Sequence, residues 1–107
     1  MENENKSTYG DWESSNNERE YTLKLFIIGA SLNSARAIIN IKNICEKHLG
    51  RNYDLEIIDV YQQPSKAQDE QLIALPMLVK TLPLPLKRLI GDMSNTVKVL
   101  KGLGINT

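Results

Sequence analysis

Few residues in this chain could do covalent chemistry. There is one cysteine, Cys45, and one histidine, His48, three positions apart on what reads as a helix. With a carboxylate they are the only material for a zinc site or a histidine-activated thiol. A lone cysteine also excludes an internal disulfide and a CxxC redox pair. Cys45 follows Ile41 by four residues on an apolar stripe, where a small core residue is expected. Nothing near it in sequence supplies the positive surroundings that a reactive thiolate needs. His48 falls at the helix end, where an imidazole meets the negative end of the dipole. Asp69-Glu70 has the look of an acid pair but reads as the solvated face of a short helix. No catalytic residue, metal site or cofactor is therefore expected, which leaves binding.

Charge narrows the choice of partner. The 107 residues carry 13 bases and 13 acids, a formal net charge of zero. That balance conceals an asymmetry. Six acids and two bases fall in residues 1–20, leaving eleven bases and seven acids in residues 21–107. The leading segment MENENKSTYGDWESSNNERE is almost devoid of apolar residues and is expected to be a disordered acidic tail, with the folded domain spanning 21–107. It lacks the apolar stretch of a signal peptide, and no apolar run approaches the ~20 residues of a membrane span, so a cytoplasmic protein is expected. The modest basic excess has no interleaved aromatic residues, which argues against nucleic acid.

These residues need a scaffold. YTLKLFII (21–28) becomes continuously apolar, as a strand buried on both faces does. Gly29 ends it, and Ser31 or Asn33 can cap a helix over 34–49. Along that helix Ala37, Ile38, Ile41, Ile44 and Cys45 recur at helical spacing. YDLEIIDV (53–60) reads as a second strand, so strand, helix and strand form a parallel βαβ unit with a right-handed crossover. Pro64 closes that strand and Ser65 caps a short helix, SKAQDEQLI. MLVKTL and KRLIGD then fit two strands joined by LPLPL. Ser94 caps a last helix weakened by Gly102 and Gly104, each costing up to ~1 kcal/mol against alanine inside a helix. The order is βαβαββα, that of a thioredoxin-like single domain. In that fold the redox pair belongs between the first strand and helix, where this chain has Ala30-Ser31-Leu32-Asn33-Ser34 and no sulfur.

Several stretches go further. Gly29 to Ser34 fits G-x-S/T-x-N-S, residues 58–60 read I-D-V, and residues 83–92 read P-L-P-L-K-R-L-I-G-D. In this order and spacing they closely resemble the KaiB family of small clock proteins, from about Thr22 to Leu103. Leu32 and Met77 depart from the proline and threonine common in the family, and Gly102-Leu103-Gly104 stands for its G-L-D.

The resemblance implies a non-enzymatic clock or signalling regulator. Such proteins bind the N-terminal ATPase ring of a KaiC-type hexamer and, where it exists, sequester KaiA. They compete for the ring with KaiB-like sensor domains of histidine kinases. A divergent copy would act as an adaptor in stress signalling. The resemblance also implies two folds of one sequence sharing the βαβ half: a self-associated dimer or tetramer, and a ring-competent thioredoxin-like monomer. Carried over by position, the partner-binding residues are Arg36, Lys80 and Arg88, with Pro83 and Pro85 shaping the loop. Pro76, Gly91, Asp92, Gly102 and Gly104 belong to the segment that rearranges, and Leu75-Pro76 is expected to be cis in the thioredoxin-like form.

Overall fold

The computed structural model describes residues 20–68, 72 and 74–105. Residues 1–19 and Asp69-Glu70 lie outside them, so the expectations for the acidic tail and the acid pair are not addressed. Seven elements follow in chain order: β1 (Tyr21–Ile27), α1 (Leu32–His48), β2 (Tyr53–Asp59), α2 (Pro64–Ala67), β3 (Met77–Leu82), β4 (Lys87–Ile90) and α3 (Thr96–Leu103). The four strands form one sheet in the order β2-β1-β3-β4. β1 and β2 are parallel, as the intervening helix requires, and β3 and β4 close the sheet as an antiparallel hairpin.

Period-two alternation gives the sheet two unlike faces. One carries Leu23, Leu25, Ile27 and Leu78, which pack with Ala37, Ile41, Ile44 and Cys45 of α1 and Val99, Leu100 and Leu103 of α3. The other carries Phe26, Ile58, Met77 and Val79, which pack with Ala67 of α2 and, half-buried, Val60, Leu72 and Leu75. β1 lies between β2 and β3 with both faces covered, which is why its sequence turns continuously apolar.

The element ends correct three sequence-based expectations. α1 starts at Leu32, not Ser34, because Ser31 is its N-cap and its hydroxyl accepts from the Ser34 N–H. α2 starts at Pro64, and Ser65 is not its cap. Proline's missing N–H costs nothing in a first helical turn, and its fixed φ suits the start. α3 is capped by Asn95, not Ser94, because the Asn95 side chain accepts from the Lys98 N–H at 3.1 Å. Ser94 is held elsewhere: its N–H donates to Asp92 Oδ1 at 3.0 Å.

Candidate partner-binding site

At the corner between β1 and α1, hydroxyls stand in the place of a redox pair. Ser31 Oγ donates to Ser34 Oγ at 2.8 Å, and the Ile28 N–H donates to Ser34 Oγ at 3.2 Å. Ser34 is completely buried with its hydroxyl satisfied from both sides, so it holds the corner together. Asp59, at the end of β2, braces the same corner by accepting from the Gly29 and Tyr61 N–H groups. The one thiol lies deep in the core on α1. Burial, then the neighbouring Glu46, pushes Cys45 up to about 12, so it remains a protonated, inert packing residue. Among the described residues, no three His, Cys, Asp or Glu side chains gather to hold a metal ion.

The binding candidates do not form one patch. Arg36 is exposed on α1 and lies near Asp92, whose carboxyl is held below its usual range mainly by hydrogen bonds from Ser94 and slightly by Arg36. Asn40, one turn further along α1, donates to the Asp92 carbonyl at 2.9 Å. Gly91 joins the same region: its N–H donates to the Pro76 carbonyl at 3.0 Å, tying the end of β4 to the start of β3. The Leu75-Pro76, Leu82-Pro83 and Leu84-Pro85 bonds are all cis. Arg36, Gly91, Asp92 and Pro76 thus gather at one end of the sheet, beside an open cavity of about 210 Å³ lined by residues 89–95, Lys98 and Val99.

Lys80, Pro83 and Pro85 belong to the opposite end, at the β3–β4 turn. Lys80 pairs across the strands with Leu23 on one side and Lys87 on the other. It shares the α1/α3 face with Leu78, and only 4% of it is exposed. Arg88 pairs with Val79 and therefore points to the other face, where its Nε is sealed from solvent without a hydrogen-bond partner. Adjacent in sequence to Lys87, it cannot share a face with it.

Burial, reinforced by Lys87, holds the Lys80 ammonium below the usual amine range. The sign follows from linkage. Between the lowered pKa and the ordinary value of 10.5, the unfolded chain binds a proton that the folded chain resists, so stability rises with pH across that window. Lys80→Met keeps the stem and removes the charge. It is expected to be more stable than the parent at neutral pH and to lose this slope. Chemical denaturation at a series of pH values between neutrality and the amine range reads both; equal slopes would exclude Lys80 as the cause.

The glycines of α3 are not simply weak points. A Cβ on Gly102 would lie 2.6 and 2.7 Å from the Leu89 methyls and 3.0 Å from its Cγ, so the residue allows α3 to rest directly on β4. Gly104 lies past the last helical turn, with φ +77, where its left-handed backbone ends the helix. Its N–H bonds to the Lys101 carbonyl and the Ile105 N–H to Leu100, a Schellman closure that a glycine favours. The expected helix-interior penalty therefore does not apply to Gly104. Two further residues escaped the sequence reading. Met93 takes φ +64 with its side chain buried in the core, and Leu89 receives Gly102; neither has a local signal, since both follow from α3 packing back on β4.

A four-stranded sheet of this order, with a thiol-free corner and a proline-flanked hairpin, defines a thioredoxin-like domain lacking that fold's redox centre. The structure is similar to mitochondrial thioredoxin 3 of Saccharomyces cerevisiae, with TM-score 0.65 and 16% identity over 82% of this chain and 80% of that one. It is equally similar to the N-terminal domain of Synechococcus elongatus SasA, with TM-score 0.64 and 22% identity over 86% and 90%. These likenesses show the fold. The KaiB domain model matches residues 24–105, and the chain belongs to the KaiB family. Among its relatives are circadian clock protein KaiB3 of Synechocystis sp., 54% identical over 78% of this chain and 81% of that protein, and circadian clock oscillator protein KaiB of Thermostichus vulcanus, 44% identical over 81% of each.

Proposed function

We propose that this protein is a non-enzymatic clock regulator that binds the N-terminal ATPase ring of a KaiC-type hexamer in its thioredoxin-like form. One observation carries the reading. The corner that performs redox chemistry in this fold is built from satisfied hydroxyls, and the only thiol is sealed and held protonated. What remains on offer is a binding surface: the exposed Arg36, the half-buried Arg88, a hairpin shaped by Pro83 and Pro85, and Lys80, whose buried position means that it would have to be uncovered to meet a partner. These bases suit acidic groups on the ring. A thiol-dependent reductase would need a thiolate that Cys45 does not provide.

The segment of Pro76, Gly91, Asp92, Gly102 and Gly104 is where a second arrangement of the same chain would differ from this one. The βαβ half would be common to both, and the other form would be a self-associated dimer or tetramer. A chain only partly in the competent form binds with its affinity reduced by that fraction, and slowly if rearrangement precedes docking. A related adaptor role is the second reading, in which the protein competes with a KaiB-like sensor domain, in the clock or in stress signalling, with KaiA as a further partner where present.

The test mixes the chain at micromolar concentration with a KaiC-type ring and follows complex formation by size-exclusion chromatography. Slow assembly that weakens with added salt is expected, since exposed charge contacts are screened. No complex after a day at low salt would overturn the proposal.

A further inference from the structure

Asparagine is a poor residue for a helix interior, because its side chain competes for backbone hydrogen bonds in other conformations. Asn40 nevertheless stands in the middle of α1, on the same side as the exposed Arg36 and Asn43. It is itself half-buried, and its Nδ2 donates to the Asp92 carbonyl at 2.9 Å. Among the described residues this is the one side-chain hydrogen bond between α1 and the chain after β2.

What it holds is a loop under strain. Residues 91–94 join β4 to α3, and two of the four have positive φ: Gly91 at +118 and Met93 at +64. A methionine keeps such a backbone only where its surroundings over-determine it. Its side chain is 4% exposed, packed in the core with residues of α1 and α3, and its neighbours are tied on either side. The Gly91 N–H donates to the Pro76 carbonyl, the Ser94 N–H to Asp92 Oδ1, and Asn40 to the Asp92 carbonyl. Packing does not close over the loop, since its residues also line the open cavity of about 210 Å³. Hydrogen bonds therefore fix it, and of these three only the Asn40 bond crosses to α1. The same bond sets where Asp92 lies relative to Arg36, one helical turn before Asn40. Asp92 stays close enough to feel the Arg36 charge while its carboxylate is engaged by Ser94.

We propose that Asn40 is a positioning residue for the partner-binding surface: it clasps the strained 91–94 loop to α1 and so fixes the Arg36 end of that surface. The consequence for a partner rests on the ring-binding reading; the clasp itself does not. Without the clasp, Met93 relaxes toward ordinary backbone, the loop opens and α3 loosens at its first turn.

Hydrogen exchange of the full chain, followed by mass spectrometry, tests the clasp. Asn40→Ala is expected to speed exchange over residues 91–99 by about tenfold, the size of one lost hydrogen bond, with β1 and β2 unchanged. Alanine is the better helix former, so the change does not weaken α1. Asn40→Asp has the same size but no donor, and it turns a charge toward the carbonyl. It should open the loop further than alanine does, whereas a mere packing role would make it the milder change. Equal exchange in the parent and both variants would overturn the clasp, as would Asn40→Asp milder than Asn40→Ala. A saturating KaiC-type ring should restore parent-like protection to Asn40→Ala, because a partner that needs the loop in place favours its closed state. A bound ring that leaves the loop's exchange unchanged would overturn the positioning role. Faster exchange in the variants, with no ring binding by any chain including the parent, would leave the clasp standing and remove the ring reading.

Discussion

Gly102→Val is expected to lower the apparent affinity for a KaiC-type ring by roughly 30-fold while leaving the βαβ half folded. A Cβ alone would sit 2.6 Å from a Leu89 methyl and 3.0 Å from Leu89 Cγ, so the branched valine must either drive Leu89 from its place or lift α3 off β4. Overpacking of this kind costs about 1–3 kcal/mol. Where the proposed competent arrangement is the minority form, a penalty near ~2 kcal/mol charged to it and not to one that pairs β4 and α3 differently reduces the competent fraction, and with it the apparent affinity, by roughly 30-fold. Leu89→Ala in the same chain opens the space and should restore much of the loss. Titrating the ring with parent, single and double variants reads the effect. Parent-like affinity in the single variant would show that the α3–β4 contact does not govern the competent form.

Phe26→Ala acts on the whole molecule. Phe26 is fully buried in the middle of the sheet, paired with Ile58 on β2 and Met77 on β3, both themselves buried, and its cluster is closed by Ala67 and Val79. Removing a buried phenylalanine side chain costs about 3–5 kcal/mol through lost transfer energy and the cavity left behind. A small domain holds only about 5–15 kcal/mol in total, so the variant is expected to sit close to its unfolding midpoint near body temperature. Because Phe26 belongs to the half proposed as common to both arrangements, its loss should weaken every folded form together. Thermal melting by circular dichroism checks this, with a single transition at much lower temperature as the expected result. A small shift would mean that the thin α2 side of the sheet collapses onto the cavity. Under the proposed two-arrangement reading the two variants therefore separate stability from conformational balance: Phe26→Ala is expected to reduce folded protein and Gly102→Val to redistribute it.

Most of the scaffold was legible because its signals are local. The uninterrupted apolar run in β1, the 3.6-residue stripe from Ala37 to Cys45 and the glycine between them are consequences of burial on two faces, on one stripe and at a turn. Helix starts were less accessible. Ser31 and Asn95 each had a neighbour of similar capping chemistry, and Pro64 was followed by a serine that could have served as a cap; the choice between neighbours depends on where the preceding chain arrives. Among the site candidates, the chain order told which residues were basic but not which were neighbours. Arg36 comes near enough to influence Asp92, and Asn40 donates to the Asp92 carbonyl 52 residues away in sequence, only because α1 lies across the loop after β4.

By itself, the sequence determined that no internal disulfide or CxxC pair can form and that the β1–α1 corner holds no sulfur, because composition is absolute: one cysteine, none at that corner. It also determined the element order and the family, through motifs kept in near-constant spacing. Only the tertiary structure decided that Lys80 is buried beside Lys87, that Arg88 faces the other way, and that Gly102 is a contact with Leu89. The physical reason is register. A strand's side chains alternate, so which of them meet core, solvent or each other is set by long-range pairing that no local window contains.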